Sequence, residues 1–229
     1  MPIIMTPTTT IIGLTGPAGS GKDTVADLLV THAGFNKMAF ADTLKAEVCD
    51  AFNIEPLYLV HRDTKEHPMS CLALEKCTDQ AFIDRIFMLH FDENVTVDRK
   101  APRSPRQIMQ WWGTDYRRYT KPDYWVSQAS ARLHGLLANR ITSRVVITDL
   151  RFDNEADMIT RYGGTIWQIT RPGCDVAAGA HVSEVTGAAF KPSVVLHNAH
   201  DIKHLQQLVL GEFWAHDAGL VKVAVQIED

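Results

Sequence analysis

The alternation of apolar and polar positions along the chain lays out an ordered series of short strands and helices. Thr10–Thr15 (TIIGLT) is a β-rich apolar run and predicts a first strand. A glycine-rich stretch separates it from Asp23–His32, where Val25, Leu28 and Leu29 recur at helical spacing and Gly34 follows as a C-cap. Phe35–Phe40 predicts a second short strand, and Asp42 the cap of a helix carrying Leu44, Val48 and Phe52. Strand, loop, helix and strand in that order open an α/β fold with a parallel sheet. Further on, Arg144–Asp149 (RVVITD) reads as a buried strand ending in an acid, and Asn154–Tyr162 as a helix. Gly163-Gly164 then turns the chain into a strand at Thr165–Thr170. Ser193–Leu196 is another apolar run, Asp201–Phe213 a helix, and the terminal LVKVAVQ an edge strand.

Between these flanks the pattern changes. Residues 54–102 mix polar and apolar positions with one helix expected around Asp79–Leu89, and they are read as an insertion covering the carboxyl edge of the sheet. Ser104 is placed as the N-cap of a helix with Pro105 in its first turn, running to about Arg118. Met109, Trp112 and Tyr116 form its apolar stripe, and Arg106, Gln110, Thr114 and Arg117 another face. Pro122 interrupts the chain, and Asp123 caps a helix reaching about Asn139. With no internal repeat or linker, the expected organisation is one domain over 1–229. Its core lies at about 8–53 and 141–229, with a helical region inserted at about 54–140.

Composition narrows the class. A chain of 229 residues with 45% hydrophobic and 22% charged positions can bury a full core without disulfides. Cys49, Cys71, Cys77 and Cys174 form no Cys-x-x-Cys pair and read as reduced thiols of a cytoplasmic protein. No stretch approaches the ~18 consecutive apolar residues of a membrane span. The opening MPIIMTPTTT lacks a basic segment and is read as a lead-in to the first strand. The net charge of −4 argues against stable nucleic-acid binding. Its distribution is uneven: Arg99, Lys100, Arg103, Arg106, Arg117, Arg118 and Lys121 face only Asp115 within their own stretch, which suggests a small anion site.

The strongest chemical signal is Gly16-Pro-Ala-Gly19-Ser-Gly21-Lys22, a match to G-x-x-x-x-G-K between a strand and a helix. Glycines let backbone amides turn inward into a nest for phosphate oxygens, and the helix N-terminus adds further N–H groups. Lys22 supplies a point charge for β- and γ-phosphates. Asp23 stands where Ser or Thr usually binds magnesium, so either the Thr24 hydroxyl takes that role or Asp23 reaches the metal through water. Gly16, Ala18, Gly19, Ser20, Gly21, Lys22, Asp23 and Thr24 are the expected ATP-binding set. Asp149 is a candidate to orient Mg²⁺, with a helix cap as its alternative. Arg151 either stabilises a transferring phosphoryl group or pairs with Glu155. Lys22, Asp149 and Arg151 are the candidate catalytic residues, and Asp23, Thr24 and Asp149 the candidate metal ligands. In the basic segment, arginine forks suit phosphate and Gln107 or Gln110 a base edge; Trp111, Trp112 and Tyr116 either stack a base or lie in the core.

GLTGPAGSGKDTVADLL, SPRQIMQWWGTDYRR, DYWV and VVITDLRFDNEADMI, in that order, resemble the deoxynucleoside monophosphate kinases of tailed bacteriophages. HVSE (His181–Glu184) and LHNAHDIKHLQQLV extend the likeness over about 11–210, with 54–102 outside it, and the Gly-Lys-Asp-Thr form of the loop is usual in that family. The resemblance implies a P-loop fold and transfer of the γ-phosphoryl of ATP to a deoxynucleoside 5′-monophosphate (dNMP), with Mg²⁺. It implies an acceptor site of Arg103, Arg106, Gln107, Gln110, Thr114, Asp115, Arg118, Asn154 and Glu155. Arg171 would approach ATP, and His181, Ser183 and Glu184 would join the site region. It implies small-molecule partners, a cytoplasmic setting (the host cytoplasm for a phage-encoded enzyme), and is compatible with a homodimer. The rival readings are another small-molecule P-loop kinase, such as one acting on dephospho-coenzyme A or a phosphorylated isoprenoid precursor, a kinase acting on DNA ends or modified bases, and an ATP-sensing module without turnover.

Overall fold

In chain order, β1 (Thr10–Thr15) leads into α1 (Lys22–Ala33), β2 (Asn36–Met38), α2 (Ala41–Phe52) and the single turn α3 (Leu57–Val60). Two 3₁₀ turns (Ser70–Leu72, Leu74–Lys76) precede α4 (Gln80–Asp92) and α5 (Pro105–Gln110). A π-helical segment (Trp111–Arg118) follows, then α6 (Tyr124–Ala138), β3 (Arg144–Ile147), α7 (Asp153–Arg161), β4 (Thr165–Thr170), β5 (Val194–His197) and α8 (Ile202–Asp217). This computed structural model describes residues 9–60, 64–92, 94–174 and 190–217. His181, Ser183, Glu184 and the expected terminal strand lie outside those residues. The chain divides into two units, Met1–Ala39 with Ser130–Asp229, and Phe40–Ala129.

The first unit is built on a sheet of order β2-β3-β1-β4-β5 in which every pair is parallel. Its strands read as apolar runs because both faces are covered. Ile12 and Leu14 of β1 join Val25, Leu29, Trp167, Leu205, Val209 and Phe213 in one core, so α1 and α8 share a face. Gly13 points to the other face, where a Cβ would lie 2.4 Å from Ile159 of α7; its missing side chain is what lets that helix approach β1. β3 is shorter than expected. Beyond Ile147 the amides of Thr148 and Leu150 still reach the carbonyls of Met38 and Leu14, at 3.1 Å each, which brings Asp149 to the carboxyl edge.

The second unit has its own core, in which Val48, Phe52, Leu72, Leu74, Phe82, Ile86, Ile108, Trp112 and Trp125 are buried together. It begins at Phe40, ahead of the border expected near 54, because α2 contributes Val48, Cys49, Ala51 and Phe52 to this core; it ends at Ala129 rather than near 140. Asp42 does not cap α2: it sits inside the first turn, 3.9 Å from Lys45. Asp79 is a true cap, its Oδ1 accepting from the Phe82 amide at 2.9 Å. Ser104 caps α5 through the Gln107 amide, with Pro105 in the first turn as expected. The long helix predicted to Arg118 changes winding at Trp111, and only Pro105–Gln110 is α-helical.

Candidate active site

The phosphate loop follows β1, the middle strand of the sheet. Gly16 adopts φ 138° and Gly21 φ 106°, backbone conformations that L side chains rarely adopt. A Cβ at Gly16 would lie 2.1 Å from the Ile169 carbonyl oxygen, so no other residue fits there. Gly21 begins α1, and Lys22 is its first helical residue. The Lys22 ammonium donates to the carbonyls of Gly16 (2.6 Å) and Pro17 (2.7 Å), folding the side chain back over the loop. Burial lowers its pKa to about 8 and the neighbouring charge of Arg151 adds to the effect; Asp23, Asp149 and Cys174 work in the opposite direction. The same balance places Asp149 and Arg151, from the end of β3, around the loop lysine. Ala18 and Gly19 are exposed at the rim, and Ser20 is fully buried. Such a cradle of amides and one cation, at the carboxyl edge of a parallel sheet, suits a polyphosphate.

The remaining candidates of this unit gather at the same edge. Glu155 is 2% exposed, and its Oε2 accepts the backbone amides of Arg151 (2.9 Å) and Phe152 (3.1 Å). The arginine's backbone takes part in the expected Arg151–Glu155 relation. Glu155 shapes the loop that presents the exposed Arg151 side chain. Asn154, half-buried, lies in the first turn of α7. Arg171 is exposed where β4 ends, at the start of a turn closed by the Cys174 amide on its carbonyl (3.2 Å).

One residue was missed by sequence reasoning. Asn198, directly after β5, is 9% exposed and donates from Nδ2 to the Ser20 carbonyl at 2.8 Å. A Cβ on Gly21 would sit 2.5 Å from that nitrogen, so the amide occupies the space the glycine leaves. The Asn198 backbone is itself anchored, its amide donating to Thr170 at 2.8 Å. Asn198 thus ties the Ser20 carbonyl of the loop to the end of β5. The only sequence signal was its place in LHNAH after an apolar run.

In the second unit the basic segment looks different from its sequence. Two of its seven cations, Arg106 and Arg117, meet acids that the fold supplies from elsewhere in the unit. Arg117 donates from Nε to Glu47 at 2.8 Å and lies 3.9 Å from Asp79. Arg106 pairs with Glu66. The Arg103 guanidinium donates to the carbonyls of Ala101, Pro102 and Asp98 and lies 5.6 Å over the Trp111 ring. Arg99 stands 5.9 Å over Phe87. Trp112 is 1% exposed and belongs to the core. Gln107, Gln110, Thr114, Asp115 and Arg118 are half-buried along α5 and the π segment; Arg118 donates to Pro122 (3.4 Å), and the Asp115 carbonyl accepts from Arg85 (2.9 Å).

For a metal, the candidate oxygen donors are the Thr24 hydroxyl in the first turn of α1, the Asp149 carboxylate after β3, and Asp23. Asp23 lies 3.3 Å from Lys37 with its side chain 80% exposed, and Lys37 also pairs with Asp27 at 3.0 Å. Among the described residues no three His, Cys, Asp or Glu side chains converge. Magnesium in nucleotide sites takes one or two protein oxygens together with substrate phosphates, so a donor set this small suits it. All four cysteines are free thiols; burial pushes Cys77 up to about 11, well away from reactivity. No helix among the described residues is long and apolar enough to cross a membrane.

The chain is 28% identical over 230 residues to a protein of Acanthamoeba polyphaga mimivirus named "Putative deoxynucleotide monophosphate kinase", spanning 95% of this chain and 98% of that one. Among solved structures it resembles TT1252 from Thermus thermophilus, with a TM-score of 0.47 and 18% identity over 91% of this chain and 98% of that one. It also resembles dephospho-CoA kinase from Campylobacter jejuni, with a TM-score of 0.45 and 13% identity over 92% and 98%. The model of the deoxynucleotide monophosphate kinase family matches residues 60–209, which include the basic segment, Asp149–Glu155 and Asn198. The chain is a phosphotransferase and belongs to the deoxynucleotide monophosphate kinase family.

Proposed function

We propose that this enzyme transfers the γ-phosphoryl group of ATP to a deoxynucleoside 5′-monophosphate, giving the diphosphate and ADP. The observation that carries the reading is the phosphate loop Gly16–Thr24, with a half-buried Lys22 folded over it within reach of the charges of Arg151 and Asp149. In this reading the loop and Arg171 hold ATP. Arg103, Arg106, Gln107, Gln110, Thr114, Asp115 and Arg118 of the second unit serve the acceptor; in the first unit Asn154 stands beside Glu155, which holds the Arg151 and Phe152 amides. Lys22 and Arg151 offset the charge that gathers on the transferring group. An acceptor phosphate oxygen is already a nucleophile near neutral pH, so positioning and charge are the catalytic devices and no general base is required. Thr24 and Asp149 would hold magnesium, which would supply positive charge against the phosphate oxygens. The setting is cytoplasmic, that of the host if the chain is phage-encoded, and the product feeds DNA synthesis.

The test is ATP-to-ADP turnover with Mg²⁺ and each of dTMP, dGMP, dCMP, dAMP and 5-hydroxymethyl-dCMP, with ribonucleotide and no-acceptor controls. Turnover that depends on a dNMP and yields its diphosphate is the expected result. ATP binding with no turnover on any nucleotide would transfer the proposal to a different acceptor.

A further inference from the structure

One carboxylate, that of Glu47, grips the π-helical segment at two points, and the spacing of its grip is informative. A single oxygen of Glu47, Oε2, accepts from Trp112 Nε1 and from Arg117 Nε, each at 2.8 Å, while Oε1 accepts from the Tyr124 hydroxyl. In an α-helix, residues five positions apart point about 140° away from each other around the axis. In π winding the i→i+5 hydrogen bond brings residue 117 back over residue 112. The backbone keeps this register to its end, where the Tyr119 amide reaches the Thr114 carbonyl. Trp125 donates to the Gly113 carbonyl at 3.0 Å, and Arg117 is packed over Tyr116 (4.6 Å), Tyr124 (5.1 Å) and Trp112 (5.4 Å). Burial opposes the charge on Arg117, and the hydrogen bond and charge of Glu47 outweigh it, raising its pKa. Asp79 adds a brace, accepting from the Tyr116 hydroxyl at 3.1 Å while capping α4.

We infer that Glu47 is a positioning residue that locks Trp111–Arg118 in π register and thereby sets which acceptor-segment side chains share a face. The inference rests on the kinase reading above. A π turn holds one residue more than an α turn, so relaxing the segment to α winding rotates everything beyond it by about 100° for each residue absorbed. Thr114, Asp115 and Arg118, on the π segment, would then turn relative to Arg106, Gln107 and Gln110 of α5. Nothing in Glu47 needs to touch the nucleotide: its action is on the winding.

The experiment compares the full-length wild type, Glu47→Gln and Trp112→Phe by amide hydrogen exchange and by separate KM values for ATP and dNMP. In Glu47→Gln, exchange over 111–119 should quicken and the dNMP KM should rise, each by about tenfold, while the ATP KM and the protection of the sheet stay within about twofold. Trp112→Phe removes one donor and keeps the ring, so it should move the same two quantities by about threefold. If Glu47→Gln does not fold, that variant carries the comparison alone. The inference is overturned if protection of 111–119 and the dNMP KM are both unchanged, or if the two KM values rise together. A wild type that phosphorylates no dNMP would remove the kinase reading instead, and hydrogen exchange would then decide the lock by itself.

Discussion

The phosphate loop and the basic segment carry charge in opposite ways. In the loop, the groups that set the backbone and supply its lysine lie within one short run: Gly16 and Gly21 adopt the positive φ values, and Lys22 folds over them. In the segment around Arg99–Lys121, the partners come from far along the chain. Glu47 reaches Arg117 across 70 positions and Glu66 reaches Arg106 across 40. The loop's cation is balanced only in part, and its pKa falls to about 8 as burial disfavours its charge. Arg117 is answered by a full carboxylate and is held charged. A cluster of like charge read along a sequence is thus no measure of the field in space. Local motifs survive translation into structure; net charge per segment does not.

The comparison can be broken most severely at its local end. Lys22→Ala should lower turnover by about a thousandfold while leaving the fold intact, because the loop's conformation comes from its glycines and not from the lysine. Comparable turnover in the variant, with a native circular dichroism spectrum, would take the loop out of the mechanism. Asn198→Ala is expected to come next. It strips the Ser20 carbonyl of a buried donor, so the ATP KM should rise by about tenfold or more, with the dNMP KM unmoved. An unchanged ATP KM would show that the nest keeps its shape without the amide.

Asn198 also marks where sequence reasoning stops. The strand–loop–helix unit was legible because every feature that defines it (apolar run, glycines, lysine, helical spacing) is consecutive, and β1, α1 and β4 fall where the pattern put them, to within about a residue. The clamp on Ser20 joins positions 178 residues apart, and nothing in LHNAH announces its partner. The same holds in the second unit. Ser104 and Pro105 signalled the start of α5 through neighbouring atoms, whereas the change to π winding depends on a carboxylate in α2. The spacing of Trp112 from Met109 and Tyr116 left it between a base-stacking role and the core, and its indole bond to Glu47 has no local signature. Arg103, a candidate for the acceptor, spends its donors on carbonyls of its own loop, a use of arginine that composition does not reveal.

The partial balance of Lys22 gives a pH signature. A lysine with its pKa lowered from 10.5 to about 8 binds fewer protons in the folded chain than in the unfolded one. Folding therefore carries a penalty below about pH 8 that is relieved as pH rises towards 10.5, so this group adds stability on the alkaline side. Phosphate binding has the opposite sign, because it needs the ammonium. The value of kcat/KM for ATP should be flat below about 8 and fall by about tenfold per pH unit above it. A profile flat to pH 10 would mean that Lys22 keeps its proton despite burial.

The smallest effect separates the two carboxylates that follow or face the loop. Asp23 is turned to Lys37 and is 80% exposed, so its pairing is screened by solvent. Asp23→Asn should therefore cost no more than about 1 kcal/mol, a fall in Tm of about 2–4 °C, and leave the Mg²⁺ concentration for half-maximal turnover within about twofold. Asp149→Asn, which alters an oxygen donor at the strand end, should raise that Mg²⁺ requirement by about tenfold or more. The reverse order of the two variants would place the metal on the helix's first carboxylate. Lys37 would then be the cation that the metal displaces, and Lys37→Met should lower the Mg²⁺ requirement.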